Sequence, residues 1–197
     1  MVRVDELSRL ARTAARGDRT ALTELIRATQ RDVWRLCAHL VDPEAADDLT
    51  QETYLRAVPA LRGFRGEAPL RVWLLTIARR VCAAEIKSRQ RDRGALARLT
   101  AGEQGRLADA DPADAITGVD LQLLLAALTE DRRIAFVLTQ VLGCSYAETA
   151  DICAVPVGTV RSRVARARAD LDAMLAADRT PLERGGPPVV AAGQPAT

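Results

Sequence analysis

The stretch SYAETADICAVPVGTVRSRVARAR, from Ser145 to Arg168, decides the reading of this chain. Ser145 and, three residues on, Glu148 form a capping box, in which a hydroxyl and a carboxylate each satisfy a free backbone N–H at a helix start. That helix gives out near Cys153. Ala154-Val155-Pro156 makes a tight turn, and a second helix begins at about Val157. On it Val157, Val160, Val164, Ala167 and Leu171 fall within about 80° of arc. Gly158, Thr159, Ser162, Ala165 and Arg166 lie opposite, with Arg161 and Arg168 flanking one side and Arg163 the other. Upstream, residues 119–128 read as a short apolar helix. Thr129 can cap the next one, Glu130 and Asp131 suit its first turn, and Gly143 stops it. Helices joined this way predict a helix-turn-helix. A solvated basic helix in an ordinary bundle is the competing reading; the tight turn and the small-residue face weigh against it. Small side chains let the last helix approach a major groove, with central residues on base edges and flanking arginines on phosphates.

The rest of the chain is also helical in pattern. Asp5 to Arg16 reads as a short helix ended by Gly17, and Asp18 can cap the next. That helix carries Leu22, Ile26, Thr29, Val33, Leu36 and Leu40 at helical spacing. Asp42 and Pro43 suit the start of a third helix, running to about Ala60. Phe64 to Pro69 is a loop, and a fourth helix buries Leu70, Leu74, Ile77, Val81 and Ala84, with Trp73 as a core residue beside them. The pattern loosens over residues 93–118. The expected fold is all-α, with two small helical domains, 1–92 and 119–176, joined by a flexible linker, 93–118. The Pro/Gly/Ala-rich residues 177–197 read as a disordered tail.

Charge is segregated although the net charge is only +2. Asp42, Glu44, Asp47, Asp48 and Glu52 occur without a base between them, whereas Arg161, Arg163, Arg166 and Arg168 occur without an acid. Two different partner surfaces are expected. Asp48, Gln51, Glu52 and Leu55 share one face of the third helix and suit a basic protein partner; an ordinary solvated acidic face is the plainer reading. Arg79, Arg80 and Lys87 lie within about 100° on the fourth helix and suit a nucleic-acid backbone.

Several function classes find no support. Cys37, Cys82, Cys144 and Cys153 form no CxxC pair, and His39 stands alone, so neither a zinc site nor a disulfide scaffold is expected. No nucleophile, histidine or phosphate loop accompanies the acids, so no enzyme, metal or cofactor is expected. No signal peptide is recognisable, and no run approaches the ~20 apolar residues of a membrane span, so a cytoplasmic protein without membrane insertion is expected.

The chain resembles the extracytoplasmic-function (ECF) sigma factors of the sigma-70 family. Residues 47–57, DDLTQETYLRA, look like the segment that binds the polymerase β′ clamp helices. Residues 71–79, RVWLLTIAR, are similar to the helix that, with the preceding loop, handles the −10 element. Residues 157–168 closely match the −35 recognition helix, and Leu142-Gly143-Cys144-Ser145-Tyr146 extends that match.

The resemblance implies a non-catalytic initiation factor that directs core RNA polymerase to promoters. It implies polymerase contacts at Asp47, Asp48, Leu49, Gln51, Glu52 and Leu55, with the β flap as a second docking point. It implies −10 contacts at Phe64, Arg65, Arg71, Arg79, Arg80 and Lys87, where a base flipped from the opened strand is captured near the loop. It implies −35 contacts at Ser145, Thr159, Arg161, Ser162, Arg163, Ala165 and Arg166. An anti-sigma factor is a further candidate partner. Arg80 stands where relatives usually carry asparagine, and Ala84 where they carry aspartate. Leu128-Thr129 replaces a common Leu-Pro, and Ala165 replaces a larger side chain. A stand-alone helix-turn-helix regulator is the alternative.

Overall fold

The computed structural model describes residues 4–100 and 121–178, and every described element is helical. The expectations for residues 101–118 and 179–197 lie outside the described residues. The first group comprises α1 (Val4–Ala15), α2 (Arg19–Leu40), α3 (Ala46–Ala60), a 3-10 turn (Leu61–Gly63) and α4 (Leu70–Thr100). The second comprises α5 (Leu121–Ala127), α6 (Glu130–Phe136), a π-helical segment (Val137–Val141), α7 (Tyr146–Cys153) and α8 (Val157–Asp178).

Local chemistry sets most boundaries. Gly17 takes a φ of 97°, which favours glycine, and ends α1. Asp18 then caps α2 by accepting from the N–H of Thr20 at 2.8 Å and of Ala21 at 3.0 Å. Asp42 accepts from the Ala45 N–H at 2.7 Å, so it closes a turn, and α3 starts at Ala46 rather than at Pro43. Its carboxylate also pairs with Arg89 on α4. Burial would raise the Asp42 pKa, but the backbone N–H and Arg89 outweigh it and hold the pKa low.

Two sequence expectations shift. The buried stripe of α2 begins with Ala21 and Leu25 rather than Leu22 and Ile26. Leu22 is partly buried and packs against the cluster of Leu7, Ala11, Leu25, Leu61 and Leu70, where α2 meets α1. α4 also continues through Gly94 to Thr100. A single glycine costs a helix about 1 kcal/mol relative to alanine, and the alanine, leucine and arginine around it restore that.

The two groups share a core. Val33, Leu36, Cys37, Leu74, Ala78 and Cys82 belong to the same buried cluster as Leu125, Leu138, Leu142 and Ile152. Polar contacts stitch the seam. Gln122 donates to the Ala38 carbonyl and contacts His39 Nδ1 at 3.2 Å. Arg133 donates to the Leu40 carbonyl at 3.2 Å. His39 is therefore a structural residue at the seam.

Candidate nucleic-acid interface

The end of the π-helical segment shapes the helix-turn-helix. Leu142 N–H bonds the Val137 carbonyl and Cys144 N–H bonds the Leu138 carbonyl, both at 2.9 Å, while Gly143 takes a φ of 67°. These bonds close the wide turn and reverse the chain. Ser145 then caps α7 as its sequence predicts: Glu148 N–H donates to Ser145 Oγ at 3.1 Å, and Ser145 N–H donates to Glu148 Oε2 at 2.8 Å. Thr129 occupies the cap position of α6 without a side-chain hydrogen bond. Ala154, at φ 54° and ψ 48°, turns α7 into α8.

α8 buries Val160, Val164, Ala167 and Leu171, while Val157, expected on the same stripe, is exposed at the helix start. Arg161, Ser162, Ala165 and Arg166 form an exposed strip, with Ser145 exposed on α7's cap and Thr159 half-buried. Ser162 Oγ donates to the Thr159 carbonyl at 3.0 Å, and its lone pairs stay available. Arg161 and Arg166 make no ion pair among the described residues. Arg163 differs: its side chain is held by Asp131 of α6 at 2.5 Å. Arg168 is likewise tied to Gln140 Oε1 at 2.6 Å. Two of the four arginines thus hold the motif together. Tyr146, exposed beside Ser145, is a surface residue that sequence reasoning did not single out.

In the first group, Phe64 and Trp73 face each other with ring centroids 5.3 Å apart and planes tilted by 54°. They line a cavity of about 360 Å³ with Gly63, Arg65, Gly66 and Glu67. Trp73 is half-buried and serves both core and cavity. Arg80 and Lys87 are exposed on α4. Arg71 and Arg79 are not open. Arg71 donates to Asp32 at 2.6 Å, to the Leu142 carbonyl at 2.6 Å and to Cys144 Sγ at 3.3 Å. Burial opposes its charge, but the Asp32 carboxylate outweighs that and raises its pKa. Arg79 donates to the Ile152 carbonyl at 3.0 Å. Both expected nucleic-acid contacts are spent on the second group in this arrangement.

On α3, Asp47, Asp48, Gln51 and Leu55 are exposed, Leu55 by 63%. Asp47 accepts from the indole N–H of Trp34 at 2.9 Å, bringing a second large apolar surface to the acidic face. Trp34 was not foreseen, because its acidic partner lies on another helix. Glu52 is half-buried and paired with Arg56 at 2.6 Å. Leu49 differs from expectation: it is 8% exposed and belongs to the core, so its side chain is not a contact surface. No described helix is long and apolar enough to cross a membrane, and no described His, Cys, Asp and Glu residues cluster to hold a metal ion.

The family model "Sigma-70 region 2" matches residues 25–92, and "Sigma-70, region 4" matches residues 118–171. The chain is 47% identical over 177 residues to the ECF RNA polymerase sigma factor SigC of Mycobacterium tuberculosis, covering 87% of this chain and 91% of that protein. It is similar to CnrH in its complex with the cytosolic domain of CnrY: TM-score 0.67, 27% identity, 89% of this chain and 99% of that one. It is also similar to the sigma factor RpoE bound to the anti-sigma factor NepR from Bartonella quintana: TM-score 0.60, 30% identity, 80% of this chain and 98% of that one.

Proposed function

We propose, from the premise that this chain belongs to the sigma-70 family and within it to the ECF sigma factors, a division of labour among its surfaces. As a sigma factor it binds core RNA polymerase and directs it to promoters. The acidic face of Asp47, Asp48, Gln51 and Leu55, extended by Trp34, docks on the polymerase clamp. Exposed apolar side chains rimmed by acids suit a basic, partly apolar partner. The exposed strip of α8 reads the −35 element, with Thr159, Ser162 and Arg166 toward the bases and Arg161 at the edge. The Phe64–Trp73 cavity takes a base flipped at the −10 element, with Arg65, Arg80 and Lys87 on the backbone. The domains are residues 1–92 and 119–176, although α4 runs on to Thr100. The chain carries no catalytic residue, since the polymerase makes the bond, and it works where the polymerase is, in the cytoplasm.

One observation supports this reading most: an exposed acidic face on α3 and an exposed strip on the last helix of a helix-turn-helix occur in different halves of one chain. Arg71 and Arg79 can join the −10 contacts only when α7 withdraws from α4. An anti-sigma factor is bound to one of the similar structures, the sigma factor RpoE, and this chain is expected to accept such a partner too. The test is transcription in vitro with core polymerase. Asp48→Arg with Glu52→Arg should weaken core binding by about tenfold or more, measured by fluorescence anisotropy, and abolish promoter-specific transcripts. Unchanged core binding would remove α3 as the docking face.

A further inference from the structure

Two cysteines meet in the core of the first helical group. Cys37 comes from α2 and Cys82 from α4, and the Cys82 thiol donates to Cys37 Sγ at 3.7 Å. Both side chains are fully buried. The other two cysteines stand apart: Cys144 Sγ accepts from Arg71 at 3.3 Å, and Cys153 is half-buried on α7. Thr50 of α3 joins the pair. Its Oγ1 is buried beside Cys37 without a well-aligned hydrogen-bond partner. Thr53, one turn on, instead donates to the Leu49 carbonyl at 2.7 Å. A buried hydroxyl without a partner is costly, and it becomes useful when negative charge appears on the sulfur beside it. The Cys82 thiol outweighs burial and holds the Cys37 pKa low, with Thr50 acting in the same direction. Donation to Cys37 and burial together push the Cys82 thiol up.

We propose that Cys37 and Cys82 are a reversible dithiol–disulfide pair, oxidised by hydroperoxides to a cross-link between α2 and α4. The Cys37 thiolate attacks the terminal oxygen of the hydroperoxide and becomes a sulfenic acid. The O–O bond breaks, and the leaving alkoxide or hydroxide takes the proton that Cys37 gave up. The Cys82 sulfur then attacks the Cys37 sulfur, the S–O bond breaks, and the hydroxide leaves as water with the Cys82 proton. Two thiols are oxidised by two electrons while one hydroperoxide is reduced. The sulfurs must close by about 1.7 Å to reach bonding distance. Both are buried, so the reaction waits on local opening. The cross-link joins residues 45 apart in sequence and narrows the unfolded ensemble. It consumes none of the side chains assigned to polymerase or DNA, so it staples the first group without blocking it. A Cys37 sulfenic acid with no second thiol in reach would go on to sulfinic acid, a charge that an apolar core does not solvate.

The experiment treats the full chain with hydrogen peroxide, blocks remaining thiols with N-ethylmaleimide and maps unreduced peptides by mass spectrometry. A Cys37–Cys82 linkage that dithiothreitol reverses is expected. Two free thiols, or linkages made only through Cys153, overturn the proposal and leave the pair as inert core residues. The cross-linked chain should melt about 5–10 °C above the reduced one and bind core polymerase with unchanged affinity. A midpoint that does not rise overturns the staple, and so does lost affinity, which would make the cross-link an off switch. Cys82→Ser under the same treatment should gain two oxygens at Cys37 and melt lower; a Cys37 left unoxidised there overturns its role as the attacking sulfur. Thr50→Val should slow cross-linking by about three- to tenfold while leaving the linkage itself the same. An unchanged rate removes Thr50 from the site. The wild-type mapping needs no variant, so a Cys82→Ser chain that fails to fold leaves the main test intact.

Discussion

Ala154 is the one described residue other than glycine with a positive φ, at 54°. An L-residue pays roughly 1–2 kcal/mol in that region, and glycine pays far less. Ala154 is exposed, so its methyl supports little packing. Ala154→Gly should therefore stabilise the helix-turn-helix by about 0.5–1 kcal/mol, seen as a higher midpoint in thermal melts followed by circular dichroism. Tyr54 offers a pH probe. Burial pushes its hydroxyl up to about 12, despite the hydrogen bond with Thr29 at 2.7 Å. Its folded pKa lies above the unfolded one, so its contribution to stability is complete below about pH 10 and is lost as pH rises toward 12. Absorbance at 295 nm should show Tyr54 ionising late, and denaturant midpoints should fall over the same range. At this scale the sequence announced the Ser145–Glu148 box because both partners are local. It could not announce that Leu49 turns inward or that Trp34 meets Asp47, because those depend on how α2 and α3 are rotated against each other.

α8 shows what helical periodicity can and cannot supply. The spacing of Val160, Val164, Ala167 and Leu171 located its buried side. It did not say which arginines are at liberty, because Asp131 and Gln140, which hold Arg163 and Arg168, come from α6 and the π-helical segment. The two kinds of arginine should behave differently. Arg166→Ala should cost about 1–3 kcal/mol and relax preference at one −35 position. Arg163→Ala should leave preference intact and cost under about 1 kcal/mol of stability, since its partner Asp131 is largely solvated. Competition binding over a −35 library, alongside melts, separates the two. Equal, sequence-blind losses would mean that α8 faces the duplex differently. The extent of α4 was also misjudged from composition. Gly94 reads as an interruption in a string, yet its backbone is helical and a methyl there would meet open space.

As a whole molecule, the two described helical groups share a buried core. The all-α class and the order of its parts could be read from patterning. The seam could not, because its acceptors are the backbone carbonyls of Ala38, Leu40, Leu142 and Ile152, which carry no residue signature. A shared core predicts cooperative melting. Calorimetry of the free chain should show one transition, and Arg71→Ala with Arg79→Ala should split it into two by removing charged donors from the seam, each worth about 1–3 kcal/mol. A single unshifted transition in that variant would mean that apolar packing alone joins the halves. The grip of Arg71 on the Leu142 carbonyl has one more consequence. A carbonyl is neutral, so added electrolyte barely screens that grip, whereas a phosphate competing for the same guanidinium is screened strongly. Under the proposed −10 contact, ionic strength should therefore bias this side chain reversibly: concentrated salt favours its own backbone acceptor and the neighbouring Asp32, and low salt favours the phosphate.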